Sequence, residues 1–340
     1  MMLSYPNMNA RERFQKTLNF QKPDDRLPMI EWAAWWNKTI ERWKTEGLPD
    51  DYSREDALNH FGLDILDSAG GGPRSDRCPE PAHHGAGIAG NEDDYKAIRS
   101  CLFTNEILEK FKNTAYKIKE RHEKGEIIVR FWLDGYFWFP RTIFGIERHM
   151  YAFYDNPQLM HRMNDELSDF NIRVIEELFP ILMPDMVGFA EDMSYNHGPM
   201  LSYKLFKEFL TPYYQKTIPH ITKHNVKVLI DSDGDITEMV PWFLEAGIQG
   251  VYPLEKQAGV DLISIRKQFP EFLMMGGYDK MVMPKGKEAM RSEFERLLPV
   301  MKSGGYINSV DHQTPPGVSL ENYKIYIELL EEYCEKAVAE

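Results

Sequence analysis

The sequence contains no run of about 18 apolar residues, so it predicts no membrane-spanning helix. Its N-terminus lacks a basic region followed by an apolar one, which predicts a cytoplasmic protein without a secretory signal. Cysteine is scarce, and Cys78, Cys101 and Cys334 form no CxxC pair, so neither a disulfide framework nor a thiolate zinc site is expected. No GxGxxG motif follows the first predicted strand, which disfavours a dinucleotide-binding fold.

Positive charge is also in deficit, since 40 Lys and Arg face 53 Asp and Glu and give a formal net charge of −13. This excess of negative charge disfavours binding to nucleic acids or anionic membranes, and it disfavours a polyanionic substrate. The balance of 43% hydrophobic and 27% charged residues is typical of a globular protein with a sizeable core. A length of 340 residues is compatible with one domain, as in α/β barrels.

Short apolar runs alternate with longer amphipathic helical patterns, which is typical of successive βα units with a parallel sheet. Eight strands are predicted, at Leu27–Glu31, Leu63–Asp67, Ile127–Leu133, Met186–Ala190, Val226–Ile230, Gly250–Pro253, Phe272–Met275 and Tyr306–Val310. Helix signals lie between them: Asp155 and Ser202 as N-terminal caps, and Gly247 as a stop signal. We therefore expect one (β/α)₈ TIM barrel over residues 1–340, with an open doubly wound sheet as the alternative.

Each predicted strand ends at or is followed by an acidic residue. These acids are Glu31, Asp67, Asp134, Glu191 with Asp192, Asp231 with Asp233, Glu255, Asp279, and Asp311 followed by His312. One such acid is commonly a helix cap or a turn residue, but capping explains all eight positions poorly. The C-terminal ends of barrel strands carry the active site. We predict catalytic roles for Asp231, His312, Glu191 and Asp192.

Clustered carboxylates need compensation, because two charges about 4 Å apart repel by roughly 4 kcal/mol at an effective dielectric of about 20. Some can hold protons, or a cation such as Zn²⁺ or Mg²⁺ can lie among them. Candidate metal ligands are Glu191, Asp231, Asp233, Glu255 and His312, although His312 can equally be a structural loop histidine. Pairing with basic residues is a third way to offset the repulsion. We expect the available bases to pair with acids, and they are Arg141, Lys256, Arg266 and Lys280.

Aromatic residues cluster after the first and third predicted strands, where they indicate either core packing or a pocket for a flat organic substrate. The predicted substrate-binding residues are Glu31, Trp32, Trp36, Trp132, Tyr136, Asp233 and Asp279. The loop Gly70–Gly90 is long for a βα connection, which predicts a lid or a flexible surface loop.

Several motifs in this order resemble the uroporphyrinogen decarboxylase superfamily. They are Met8–Phe14, Arg26-Leu27-Pro28, Arg141–Glu147, Tyr154–Pro157, Glu191–Met193, Gly247–Glu255, Gly276–Lys280 and Pro315-Pro316. The resemblance spans nearly the whole chain and implies a (β/α)₈ barrel.

The resemblance also implies one of two chemistries. Decarboxylases of the superfamily hold substrate carboxylates with an arginine-rich first loop, whereas this chain has Glu31-Trp32-Ala33-Ala34-Trp35-Trp36 there. The other branch transfers methyl groups to or from a corrinoid carried by a separate protein. Its zinc members use His-x-Cys and a further Cys, at positions where this chain resembles the pattern with Asp231-x-Asp233 and Asp311 or His312.

Oxygen ligands in place of thiolates favour a methyl donor with an oxygen leaving group. The chain itself lacks the DxHxxG motif of cobalamin binding, so the corrinoid would be bound to a partner protein. We therefore expect methyl transfer from a small, methoxylated aromatic donor to that corrinoid. The alternatives are a decarboxylase or lyase acting on a small organic acid or tetrapyrrole, and a non-catalytic binding barrel.

Overall fold

The computed structural model describes residues 8–339 as an α/β fold. The strands in this range are β1 (Ile65–Gly71), β2 (Ile127–Asp134), β3 (Met186–Ala190), β4 (Ser194–Tyr195), β5 (Gly198–Pro199), β6 (Lys227–Asp231), β7 (Gly250–Tyr252), β8 (Leu273–Tyr278) and β9 (Tyr306–Val310). The α-helices are α1 (Ala10–Leu18), α2 (Asn37–Thr45), α3 (Arg54–His60), α4 (Glu92–Ile98), α5 (Asn105–Glu123), α6 (Trp138–Phe144), α7 (Ile146–Asp155), α8 (Pro157–Leu178), α9 (Tyr203–Phe209), α10 (Thr211–Thr222), α11 (Val240–Ala246), α12 (Leu262–Gln268), α13 (Lys287–Lys302) and α14 (Leu320–Val338).

Seven of these strands belong to one sheet in the order β1-β2-β3-β6-β7-β8-β9, and β4 pairs with β5 in a short antiparallel hairpin. The pairs β2–β3, β3–β6 and β8–β9 are parallel. These observations confirm the predicted α/β class with parallel strands and intervening helices. No helix within residues 8–339 is long and apolar enough to span a membrane.

The predicted first strand, Leu27–Glu31, is wrong as a strand. Its backbone makes isolated hydrogen bonds: the N–H of Leu27 donates to Cys334, and the carbonyl of Met29 accepts from Asp64. Pro28 has no N–H and cannot take part in a regular ladder. Seven of the eight predicted strands are therefore present in the sheet. Within residues 8–339, the structure does not show the eighth strand that a complete (β/α)₈ barrel requires.

The chain divides into two compact units. Within the described range, the first unit comprises residues 8–67, 121–128 and 251–339, and the second comprises residues 68–120 and 129–250. That the whole chain is one domain stays a prediction.

In the second unit, β2, β3 and β6 present three layers of side chains on one face. The register aligns Arg130, Met186 and Lys227 at the amino ends, Trp132, Gly188 and Leu229 in the middle, and Asp134, Ala190 and Asp231 at the carboxyl ends. Side chains alternate along a strand, so the residues between these belong to the opposite face. Phe131 is one of them, and its ring lies 5.7 Å from that of Phe179 at the end of α8.

Local signals have mixed outcomes. Ser202 caps α9 by accepting the N–H of Leu205, and Gly247 ends α11 with φ +92, as predicted. The cap of α8 is Asn156 rather than Asp155, which is the last residue of α7.

Two further predictions were wrong. Strand β1 continues to Gly71, so Asp67 lies within it rather than after it. Arg266, which was expected to pair with an acid, donates instead to the carbonyls of Phe272 and Gly304, which precede β8 and β9, and it therefore lies at the amino ends of these strands.

Candidate active site

Three carboxylates lie together at the carboxyl ends of β3 and β6. Asp192 follows β3, Asp231 ends β6 and Asp233 lies in the loop beyond. Each offers one oxygen, and these oxygens all lie within 4.8 Å of one another. The side chains are partly exposed, so the cluster is open to a ligand. Negative charges at this spacing repel, which favours a shared proton or a bound cation.

Local backbone structure holds this cluster. Gly234 has φ +84, and a Cβ there would lie 2.6 Å from the backbone of Tyr195, so glycine is required at the turn. The hydroxyl of Ser194 donates to the carbonyl oxygen of Asp233 and ties the loop after β3 to the loop after β6. Asp192 has φ +44, a left-handed conformation that is uncommon for a non-glycine residue and is enriched at functional sites.

Glu191 is directed to the helices and is fully buried. Its oxygens accept the N–H groups of Tyr136 at 2.7 Å, Phe137 at 2.7 Å and Trp138 at 2.9 Å, together with the hydroxyl of Tyr214. Burial raises the pKa of Glu191 to about 8, although the three N–H donors act in the opposite direction. The carboxyl therefore stabilises the start of α6. These contacts argue against its predicted catalytic and metal-binding roles.

Asp134 was noted as a strand-end acid but was not among the predicted site residues. Its register partner on β3 is Ala190, whose partner on β6 is Asp231, so both carboxylates belong to one face. Burial raises the pKa of Asp134 to about 7, against the opposing influence of Arg74. The signal that could have identified it is the alternation of polar and apolar residues along β2.

The predicted aromatic residues of the second unit differ in position. Trp132 lies one layer below Asp134, with the guanidinium carbon of Arg130 4.4 Å from its ring centre. Tyr136 is fully buried, and its hydroxyl lies 2.5 Å from the Thr217 hydroxyl. This core position argues against direct substrate contact by Tyr136.

In the first unit, a buried acid lies against two lysines. Asp311 is fully buried and accepts the N–H of Lys256 at 3.1 Å, the N–H of Lys280 at 3.3 Å and the Lys280 ammonium at 3.1 Å. That ammonium also lies 3.9 Å from Glu255. Burial raises the pKa of Asp311, while the charge of Lys280 opposes the rise. The predicted pairing of bases with acids is therefore confirmed for Lys280.

The predicted histidine lies beside an aromatic pair in the same unit. The ring of Trp32 meets that of Tyr252 edge-on at 5.3 Å and that of His312 at 5.9 Å. The Trp32 indole donates to the carbonyl of Val310 at 2.9 Å, which places it at the carboxyl end of β9. Trp36 is 46% exposed at the start of α2 and is available for contact with a ligand.

Two further predicted substrate-binding acids have structural partners. Glu31 is buried, and its Oε1 accepts the hydroxyl of Tyr323 at 2.9 Å. Asp279 caps the turn that follows β8 by accepting the N–H of Met281 at 2.8 Å, and it also accepts the amide of Gln257 at 2.7 Å. The capping role expected for some strand-end acids therefore applies to Asp279.

The structure thus brings together Asp192, Asp231 and Asp233 in the second unit, and Glu255 with Asp311 in the first. That all the predicted residues meet in one site stays a prediction.

Residues 141–333 match the family profile described as uroporphyrinogen decarboxylase (URO-D). A methyltransferase from Methanosarcina mazei has a similar structure, with a TM-score of 0.65 at 14% sequence identity, covering 96% of this chain and 99% of that one. A B12-independent methionine synthase from Shewanella sp. W3-18-1 has a TM-score of 0.45 at 11% identity over 66% of each chain. No curated protein matches the sequence. At these identities, the likeness to the first structure shows a shared fold.

Proposed function

The chain belongs to the uroporphyrinogen decarboxylase family, and from this premise we propose that it is a cytoplasmic methyltransferase. It moves a methyl group from a small, methoxylated aromatic donor to a corrinoid carried by a separate protein. The observation that carries the proposal is the acidic character of the strand ends, where Asp192, Asp231 and Asp233 cluster. A tetrapyrrole with many carboxylates would be repelled there. The shared fold with a methyltransferase supports this choice.

The proposal includes the (β/α)₈ barrel that the family resemblance implies, in which Leu27–Glu31 would occupy the place of the remaining strand without forming a regular ladder. Its support lies in the first unit, where this segment and the residue after it are tied to neighbouring elements. The N–H of Leu27 donates to Cys334 of α14, and the indole of Trp32 donates to Val310 of β9.

The cation that we propose at this site is a hard divalent ion. Asp192, Asp231 and Asp233 provide carboxylate oxygens, which are the ligands that Mg²⁺ prefers. They do not fit a thiolate zinc site, because Cys78, Cys101 and Cys334 are buried elsewhere. A bound cation would supply charge stabilisation for a departing oxygen. Its charge would also relieve the repulsion among the three acids.

The donor's aromatic ring would lie against Trp132, in the layer below the acids. The partner's reduced corrinoid, when bound, would supply the nucleophile that accepts the methyl carbon. The carbon–oxygen bond breaks, its electron pair stays on oxygen, and the oxygen takes up a proton. The protein's contribution is to hold the donor, exclude water and stabilise the leaving oxygen.

A screen of methoxylated aromatic compounds with a reduced corrinoid protein tests the proposal. Loss of the reduced corrinoid's absorbance, with equimolar release of the phenol, is the expected result. Uroporphyrinogen incubated with the same enzyme should yield no coproporphyrinogen. Decarboxylation without methyl transfer would overturn the assignment.

The metal has a separate test. If a divalent ion is bound, dialysis against EDTA abolishes transfer and added Mg²⁺ or Zn²⁺ restores it. Activity that is unchanged by EDTA would remove the metal from the proposal and leave acid catalysis in its place. The double variant D231N/D233N should lose metal binding, measured with Mn²⁺ by electron paramagnetic resonance, while its circular dichroism stays that of the wild type.

A further inference from the structure

Asp134 lies on the same sheet face as the acid cluster. It aligns with Ala190, which aligns with Asp231, at the carboxyl ends of three parallel strands. Neighbouring strands are about 4.8 Å apart, so the two acids flank Ala190 at a Cα separation of roughly 10 Å. Alanine is the smallest side chain with a Cβ, and it leaves room between them for a small group.

Gly72 packs directly against the carboxyl of Asp134, where a side chain would not fit. A Cβ on Gly72 would lie 2.5 Å from Asp134 Oδ2, so a larger residue there would displace the carboxyl. Asp134 is 7% exposed, and its carboxyl oxygens accept no hydrogen bond from another residue of the range 8–339, whereas its backbone carbonyl accepts the Asn171 amide at 3.1 Å. The charged groups that act on it are Arg74, from the segment after β1, and Glu191, from the segment after β3.

The carboxyl of Asp134 therefore stabilises no neighbouring backbone or side-chain group among residues 8–339, and it is well suited to donate a proton. A buried carboxylate without hydrogen bonds is costly, whereas the protonated form is neutral. Burial raises the pKa of Asp134 to about 7, so a large fraction keeps its proton at neutral pH. The buried Asp185 contrasts with it, because Asp185 accepts the N–H of Val129 at 2.8 Å and serves the backbone at the other end of β3.

We propose that Asp134 is a catalytic acid that donates its proton to the oxygen leaving the methyl donor. This role rests on the proposed function, and it adds to that function the residue that protonates the leaving oxygen. As the carbon–oxygen bond breaks, its electron pair remains on oxygen and the Asp134 proton moves to that oxygen. The methyl group would pass to the partner's corrinoid, the phenol leaves as the neutral molecule, and Asp134 is left as the carboxylate. Water restores the proton before the next turnover.

The test compares D134N with the wild type over methoxybenzenes whose phenol products differ in acidity. A phenol that is a strong acid leaves without help, whereas a weakly acidic one needs the proton. We expect D134N to lose about 100-fold or more in kcat/KM on the weakly acidic phenols and much less on nitrophenols. Wild-type activity should decline as pH rises through about 7, and this decline should be absent in D134N.

The control is D185N, which removes a buried acid that directly precedes the neighbouring strand β3. Its activity should fall by a similar factor for every donor, if it falls at all. A second readout is independent of turnover: at pH 6 the infrared absorbance of protonated carboxyls should be lower in D134N than in wild type by the contribution of one group, because Glu31 and Glu191 contribute equally to both proteins.

The outcomes separate the two proposals. Loss of activity in D134N by one factor across all donors, or equal protonated-carboxyl absorbance in D134N and wild type at pH 6, would overturn the role of Asp134. Failure of the wild type to transfer methyl from any ether would overturn the proposed function itself.

Discussion

Replacing Glu31 by Gln tests whether this buried carboxyl holds a proton in the folded protein. Its Oε1 accepts the hydroxyl of Tyr323, while its Oε2 is buried and has no hydrogen-bond partner among residues 8–339. Burial raises the pKa of Glu31 from 4.5 to about 8. The neutral acid is therefore the form that the folded protein favours below that pH.

The sign of the pH dependence follows from this shift. Between pH 4.5 and about 8 the folded protein keeps a proton that the unfolded chain has released, so stability falls as pH rises. The contribution is fully present below the unfolded pKa and is lost once pH passes the folded pKa. Each pH unit within this window costs about 1.4 kcal/mol, which gives roughly 2.5 kcal/mol between pH 6 and pH 8.

Urea unfolding of wild type and E31Q at pH 6 and pH 8 measures this contribution. Glutamine has nearly the same shape and no titratable proton, and it can still accept the Tyr323 hydroxyl. We expect the difference in unfolding free energy between the two pH values to be smaller in E31Q by roughly 2 kcal/mol. Equal pH dependence of stability in E31Q and wild type would show that Glu31 holds no proton in the folded protein.

Three other substitutions test the structural assignments. Glu191→Ala leaves three buried N–H groups at the start of α6 without an acceptor, and urea unfolding should show a loss of about 4 kcal/mol; a loss below about 1 kcal/mol would contradict the capping role. Lys280→Ala leaves the buried Asp311 without its ammonium partner, so a loss of about 3 kcal/mol is expected at neutral pH, shrinking as acid protonates Asp311. Gly72→Ala should displace the Asp134 carboxyl and reduce turnover, and a crystal structure with that carboxyl unmoved would refute the close contact.

The sequence predicted the strands of the sheet well because each is a short apolar run between helical patterns. The segment Leu27–Glu31 has the same composition, but Pro28 cannot donate to a ladder. Whether a segment forms ladder hydrogen bonds depends on the strands beside it in the folded protein, and the local sequence pattern does not show this. The same reasoning explains Asp67, whose strand extends through two glycines that look like a loop.

The candidate site was predicted in part. Asp231, Asp233 and Asp192 lie together, as their positions after neighbouring parallel strands suggested. Glu191 and Asp192 are adjacent in sequence, and the sequence predicts a catalytic role for both. Successive residues point in different directions, however, and Glu191 accepts hydrogen bonds from the backbone at the start of α6.

Asp134 is not among the predicted site residues, because the features that distinguish it arise only when the chain folds. Its alternation with Arg130 and Trp132 gives the face that it occupies. Its lack of a partner and its raised pKa depend on Gly72 and Ala190, which are brought to it only by folding.

We propose that this chain demethylates an ether and passes the methyl group to a partner's corrinoid. A donor labelled with ¹³C in its methoxyl group tests it directly, in a mixture of the chain, a reduced corrinoid protein and the donor. We expect mass spectrometry to find the ¹³C-methyl group on the corrinoid, with one phenol released for each label transferred. An unlabelled corrinoid across the whole series of methoxylated donors, with the enzyme folded and the corrinoid reduced, would contradict it.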